Sequence, residues 1–160
     1  MKSARPITVL IAEDRAVVRK SLRTLLGADQ GFIVVGEAPN GRVAVELARI
    51  FRPDVILMDI SMPVLNGLEA TRQILAANAS ARVIILSAHT DQEYLERASE
   101  LGVAGFLEKQ TFAKTVARAV REVALGRAFF SSAIAKRLAP APGSARGRRS
   151  VGSSVELTII

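Results

Sequence analysis

A chain of 160 residues with 49% apolar content fits one ordinary domain plus a tail, with enough apolar side chains for a core. It has no cysteine, which excludes disulfides and thiolate metal sites and makes a reducing, intracellular setting the natural one. The formal charge of +7 is uneven: residues 1–125 carry 16 Lys and Arg against 14 Asp and Glu, net +2, whereas residues 126–160 carry 6 against 1, net +5. Basicity therefore belongs to the tail, where Arg146, Arg148 and Arg149 sit in a Gly/Pro/Ser-rich run that reads as solvated linker rather than a nucleic-acid surface. No apolar run approaches the roughly 18 residues of a membrane span, and Met1 to Arg5 is not followed by a signal-peptide core. A soluble, cytoplasmic protein with no membrane partner is expected.

Short apolar runs alternate with amphipathic segments as far as about residue 125. The first run, Ile7 to Ala12, precedes a helical stripe of Val18, Leu22 and Leu25; the second, Phe32 to Gly36, precedes Ala44, Leu47, Ala48 and Phe51 at i, i+3, i+4 and i+7. Asn40 is placed to cap that helix and Pro53 to end it. Val55 to Met58 and Val83 to Leu86 follow as strands, then a stripe of Tyr94 or Leu95 with Ala98 and Leu101. Gly105 to Leu107 is the fifth run, and Phe112, Val116, Val120 and Val123 form the last stripe. Most runs are too continuous for a sheet wetted on one side. Five helices following five strands give (βα)5, an α/β doubly wound, five-stranded parallel sheet of flavodoxin-like type.

After Gly126 the pattern weakens. Ser131 or Ser132 is placed to cap a short helix through Ile134 to Leu138, the run from Ala139 reads as flexible linker, and Val155 to Ile160 is too short for a domain. The expected division is a domain over 6–125, a short tail helix within 126–138, and over 139–160 a flexible basic linker or the truncated start of a further domain. The expected ligand crevice of an open α/β sheet lies beyond the carboxyl ends of its strands. Strand one ends at Glu13 and Asp14, strand three at Asp59, strand four at Ser87 and strand five at Lys109. Three carboxylates, a hydroxyl and an ammonium thus converge on one rim. Clustered carboxylates raise one another's pKa unless a cation intervenes, and a hard divalent ion such as Mg²⁺ takes one or two carboxylates while leaving room for phosphate. One carboxylate can then act as nucleophile towards a phosphoryl group, with Lys109 neutralising the transferring oxygens and Ser87 donating to one of them.

The acidic pair Glu13-Asp14, the segment LMDISMPVLNG around Asp59, Ser87-Ala88, and Lys109 after Gly105-Phe106-Leu107-Glu108 stand 45, 28 and 22 residues apart from Asp14 through Asp59 and Ser87 to Lys109. In this the chain resembles the receiver domain of two-component response regulators over about residues 6–125. Finer detail, in VVGEAPNGRVAVELA, RPDVILMDISMPVLNGLEATR, ARVIILSAHTDQEY and GRAFFSSAIAKRLA, is similar to the LuxR/NarL-type subfamily.

The resemblance implies that Asp59 accepts phosphate from the phosphohistidine of a sensor histidine kinase. It implies Mg²⁺ bound by Asp14 and Asp59, with Glu13 acting largely through water and the main-chain carbonyl of Ser61 as a further ligand. Ser87 and Phe106 would be the switch pair, acting on the surface of the fourth helix, fifth strand and fifth helix, with a homodimer on phosphorylation as a further partner. Relatives of this type carry a C-terminal helix-turn-helix that binds DNA; the chain stops at about where it would begin, so a receiver without output and a truncated LuxR-type transcription factor both stand, and DNA is a partner only through such a domain.

Three departures accompany the resemblance: Arg15-Ala16 in place of His-Pro, Gln110 in place of the proline after Lys109, so that the usual cis peptide is not assumed, and Phe106 without a hydroxyl. His89, the only histidine, is placed to brush the phosphoryl group and tune its lifetime. An enzyme on the same fold is the remaining class, but neither G-x-G-x-x-G nor a Walker A sequence is present, and the expected activity is self-directed phosphotransfer and autodephosphorylation only.

Overall fold

Apolar runs and stripes take the places the sequence assigns them in the computed structural model, which describes residues 5–88, 91–138 and 157–159. Strand β1 (Ile7–Ala12) leads into helix α1 (Ala16–Gly27), β2 (Phe32–Ala38) into α2 (Gly41–Phe51), and β3 (Val55–Asp59) into α3 (Gly67–Ala77). The alternation continues with β4 (Val83–Ser87), α4 (Gln92–Leu101), β5 (Gly105–Glu108) and α5 (Phe112–Ala124). Beyond it lie β6 (Ala128–Phe130), α6 (Ser132–Leu138) and β7 (Leu157–Ile159). His89 and the arginines at 146, 148 and 149 fall outside the described residues.

Among the described residues every pairing is parallel, and the strand order is β2-β1-β3-β4-β5-β6-β7. The first five strands have the doubly wound order expected, with its reversal where β1 lies beside β3. The sheet exceeds the five expected strands by two. Three-residue β6 is too short to carry a period, yet it pairs Gly105 with Phe129 and Phe106 with Phe130, while β7 pairs with β6 in turn.

Side chains alternate between two cores. Val9, Ile11, Leu57, Ile84, Leu86 and Phe129 face the layer of α1 and α5; Leu10, Met58, Ile85, Phe106 and Phe130 face that of α2, α3, α4 and α6. Each fully buried Leu or Ile contributes roughly 1.5–3 kcal/mol. The expected stripes supply the helix faces, with Leu95 rather than Tyr94 fully buried on α4 and Phe51, at the end of α2, exposed. Helix α3 buries mainly small residues beside Leu68 and Ile74, which leaves its apolar stripe weak in sequence.

The ends follow local chemistry. Asn40 Oδ1 accepts from Val43 N at 2.9 Å, capping α2 as expected, and α2 stops at Phe51 before Pro53. Ser131 precedes α6, and its hydroxyl accepts from Ile134 N at 3.2 Å. Gln92 and Arg137 exchange two hydrogen bonds, side chain to side chain and side chain to carbonyl, which hold α6 on α4. Among the described residues no helix is long and apolar enough to cross a membrane.

Candidate functional site

The rim is built by letting strands run one or two residues past their apolar runs. Glu13 N donates to Ala38 O at 2.9 Å, extending the β1–β2 ladder, so Glu13 stays in the covered sheet and is fully buried. Asp14 leaves the sheet and is exposed. Next to β1, the register Ala12 to Met58 brings Asp59 level with Glu13, and Asp59 is only 2% exposed. Ser87 ends β4, 3% exposed, and its carbonyl accepts from Lys109 N at 2.9 Å. From there Lys109 Nζ reaches across the sheet end, 2.8 Å from Glu13 Oε1 and 3.1 Å from Asp59 Oδ1.

The structure therefore brings Glu13, Asp14, Asp59 and Lys109 together, with Ser87 at the next strand end. Ser61 N donates to Asp59 Oδ1 at 3.3 Å, and Phe106 is buried one strand further on, facing the α4 layer. Burial pushes the Asp59 carboxyl up to about 6; the Glu13 charge adds to this, and Lys109 only partly offsets it. For Lys109, burial pulls the ammonium down, but Glu13 and Asp59 outweigh it and leave the pKa above the ordinary lysine value. Lys109 is thus a fixed cation at neutral pH.

The residues fit a hard divalent cation. One carboxylate oxygen each from Glu13, Asp14 and Asp59 lie within 4.8 Å of one another. Glu13 Oε1, although beside the Lys109 charge, is buried without a well-directed hydrogen bond, as an acceptor awaiting a further positive partner is. Oxygen-only donors of this kind suit Mg²⁺.

The loop from β3 to α3 is held by close backbone approach. A Cβ on Gly67 would stand 2.0 Å from Asp59 O, and one on Gly41, at the start of α2, 2.0 Å from Leu65 O. Between these contacts Leu65 N donates to Pro63 O at 2.7 Å across Val64, whose φ of 71° is strained for a β-branched residue. Val64 is 71% exposed and buries little. Val64→Gly is expected to raise the unfolding free energy by about 1 kcal/mol, since relief of left-handed strain outweighs the added chain entropy; a denaturant midpoint unchanged or lowered would refute this.

Arg19 and Glu37 were not singled out from the sequence. Arg19 Nη1 donates to Glu13 O at 2.7 Å and its Nε to Glu37 Oε1 at 3.2 Å, while Arg23 Nη1 lies 2.6 Å from Glu37 Oε2. The i, i+4 spacing of Arg19 and Arg23 on one helix was the available signal.

Known proteins share this fold. The family described as the response regulator receiver domain matches residues 9–121. The response regulator UvrY of Escherichia coli strain K12 is 39% identical over 133 residues, 83% of this chain and 61% of that protein. The transcriptional regulatory protein DegU of Brevibacillus brevis is 37% identical over 123 residues, 77% of this chain and 52% of that protein. The chain thus spans between half and two thirds of the length of these curated relatives. A crystal structure of a LuxR-family two-component response regulator from Aurantimonas sp. SI85-9A1 superposes with a TM-score of 0.78 at 30% identity, covering 82% of this chain and 94% of the other. On the match over 9–121, carried by the same strands that assemble the acidic rim, the chain belongs to the response regulator receiver family, in its LuxR/NarL type.

Proposed function

We propose that this receiver accepts a phosphoryl group on Asp59 from the phosphohistidine of a sensor histidine kinase, and works as a signalling switch rather than as an enzyme with an external substrate. The observation that carries this reading is the meeting of Glu13, Asp14 and Asp59 with Lys109 at the carboxyl ends of β1, β3 and β5. An Asp59 oxygen attacks phosphorus, the bond to the histidine nitrogen breaks, and an acyl phosphate forms. Lys109 stands where the transferred group's negative oxygens arrive, and the buried rim keeps competing water low. Glu13, Asp14, Asp59 and the Ser61 carbonyl are the groups to hold Mg²⁺, which supplies charge neutralisation for the phosphoryl oxygens when bound.

Ser87 then donates its hydroxyl to a phosphoryl oxygen, and Phe106 passes the change by packing into the α4 layer, where Phe130 and Ile134 share its core. In this reading 6–125 is the receiver proper, 126–138 a tail whose β6 and α6 are built onto it, and 139–160 a basic linker or the truncated start of an output domain, within which Leu157–Ile159 pairs with β6 as β7. A homodimer on phosphorylation is the expected partner state. A second reading, the regulatory half of a DNA-binding transcription factor, is favoured by the similarity to DegU, described as a transcriptional regulatory protein longer than this chain; sequence-specific DNA binding by the 160-residue chain itself would support it.

Incubation with Mg²⁺ and acetyl phosphate, followed by intact mass, tests the main reading. The wild type is expected to gain one base-labile phosphoryl group and Asp59→Asn none. A folded wild type that gains nothing would sink it.

A further inference from the structure

We infer that Arg19, anchored by Glu37, is a positioning residue that fixes the Glu13–Asp14 peptide so that the Asp14 carboxylate stays within reach of a divalent cation. This rests on the reading of Glu13, Asp14 and Asp59 as a Mg²⁺ site. The problem it solves is local. Glu13, one residue past β1, still has its amide tied to the sheet, at 2.9 Å from Ala38 O, and the chain leaves the sheet at Asp14. Asp14 is exposed, so no surrounding core holds its side chain. What holds its backbone is the carbonyl of Glu13. Because a peptide unit is planar, fixing that oxygen fixes the amide and Cα of Asp14 as well.

Arg19 supplies the fixing bond. Its Nη1 lies 2.7 Å from Glu13 O, a short charge-assisted hydrogen bond, and the side chain is only 20% exposed, so water competes weakly. The guanidinium is in turn aimed by Glu37 Oε1 at 3.2 Å, on the neighbouring β2. A guanidinium can serve a carbonyl and a carboxylate at once through separate N–H groups; an ammonium on a flexible stem serves them less rigidly. Glu13 is also held from its other side, since Arg15 N donates to Glu13 Oε2 at 3.0 Å. The acidic pair is thereby framed by Arg15 and by Arg19 of α1, and Arg19 ties that frame to Glu37 on β2.

The plainer account is that Arg19 and Glu37 only tie α1 to β2. Arg23 separates the two, because it pairs with the same Glu37, at 2.6 Å, and makes no hydrogen bond to Glu13. The experiment is calorimetric titration of the full chain with Mg²⁺ alone, with thermal unfolding in chelator as the stability readout. Arg19→Ala is expected to weaken Mg²⁺ binding about tenfold, as loss of an outer-shell partner does. Glu37→Gln is expected to weaken it about threefold, Arg19→Lys to fall between wild type and Arg19→Ala, and Arg23→Ala to stay within about twofold of wild type. Should Arg19→Ala fail to fold, Glu37→Gln and Arg19→Lys carry the test at their smaller expected changes. Binding within twofold of wild type in the Arg19 and Glu37 variants overturns the positioning role alone, as does an equal loss in Arg23→Ala. A wild type that takes up no Mg²⁺ overturns the reading of the site and this inference with it.

Discussion

Asp59→Asn is expected to make the protein more stable at pH 7.5, by about 2 kcal/mol or roughly 6 °C in unfolding midpoint, and to lose that advantage as the pH is lowered to 4. The reason lies in the raised pKa. An Asp59 carboxyl at about 6 in the fold, against 3.8 for the free group, binds its proton more tightly folded than unfolded. The folded state therefore holds more protons between those values, and stability falls as pH rises from about 4 to about 6, then stays lowered. A shift of about two units corresponds to roughly 3 kcal/mol, of which the amide recovers most by never ionising. Asn keeps an oxygen for Lys109 and Ser61, so the contacts at 3.1 and 3.3 Å have a substitute acceptor. Shifted groups away from the cluster, such as Asp54 with its lowered pKa, titrate alike in both proteins and cancel in the difference. Denaturant unfolding of both proteins across this pH range, in chelator, is the measurement. A difference that is absent at pH 7.5, or that does not change with pH, would show that the Asp59 charge is not the strained one.

Lys109→Met is expected to have the opposite and larger effect, a loss of about 3–5 kcal/mol at pH 7.5 without divalent cation. Methionine preserves the apolar stem as far as Cε but removes the charge that lies 2.8 Å from Glu13 and 3.1 Å from Asp59. Two like charges, one fully buried and one 2% exposed, then face each other with no cation between them. Three measurements tie the loss to this cause: it shrinks as pH falls and the carboxyls protonate, it shrinks when Mg²⁺ is added, and it shrinks in an Asp59→Asn background, where the double-mutant cycle reads the coupling directly. A loss below about 1 kcal/mol, the size of an exposed ion pair, would mean that water already screens the cluster.

How the site could be read from the chain follows from its architecture. In a parallel sheet every strand delivers its last residue to the same rim, so Asp59, Ser87 and Lys109 are neighbours by topology once the apolar runs are recognised. The finer facts depend on geometry that a linear pattern does not contain. Glu13 and Asp14 are adjacent and chemically alike, yet one is buried and the other exposed, because the amide of Glu13 is still bonded into the covered sheet and Asp14 has left it. Arg19 and Glu37 meet only because α1 crosses over the β1–β2 edge. Three-residue β6 was invisible to any periodicity, and its role comes from what it pairs with. Gly67 could be seen in its motif, but its reason, a carbonyl too close for a methyl group, could not.

That closeness governs how such a site can vary. The carbonyl of Asp59 and that of Leu65 each lie against a glycine, so the loop between them is seated on two helices like a joint cut without clearance. Its path cannot drift by the width of one carbon. Variation in this loop is then confined to outward-facing positions such as Ser61 and Val64, whose side chains can be exchanged while the main chain beneath them stays in place.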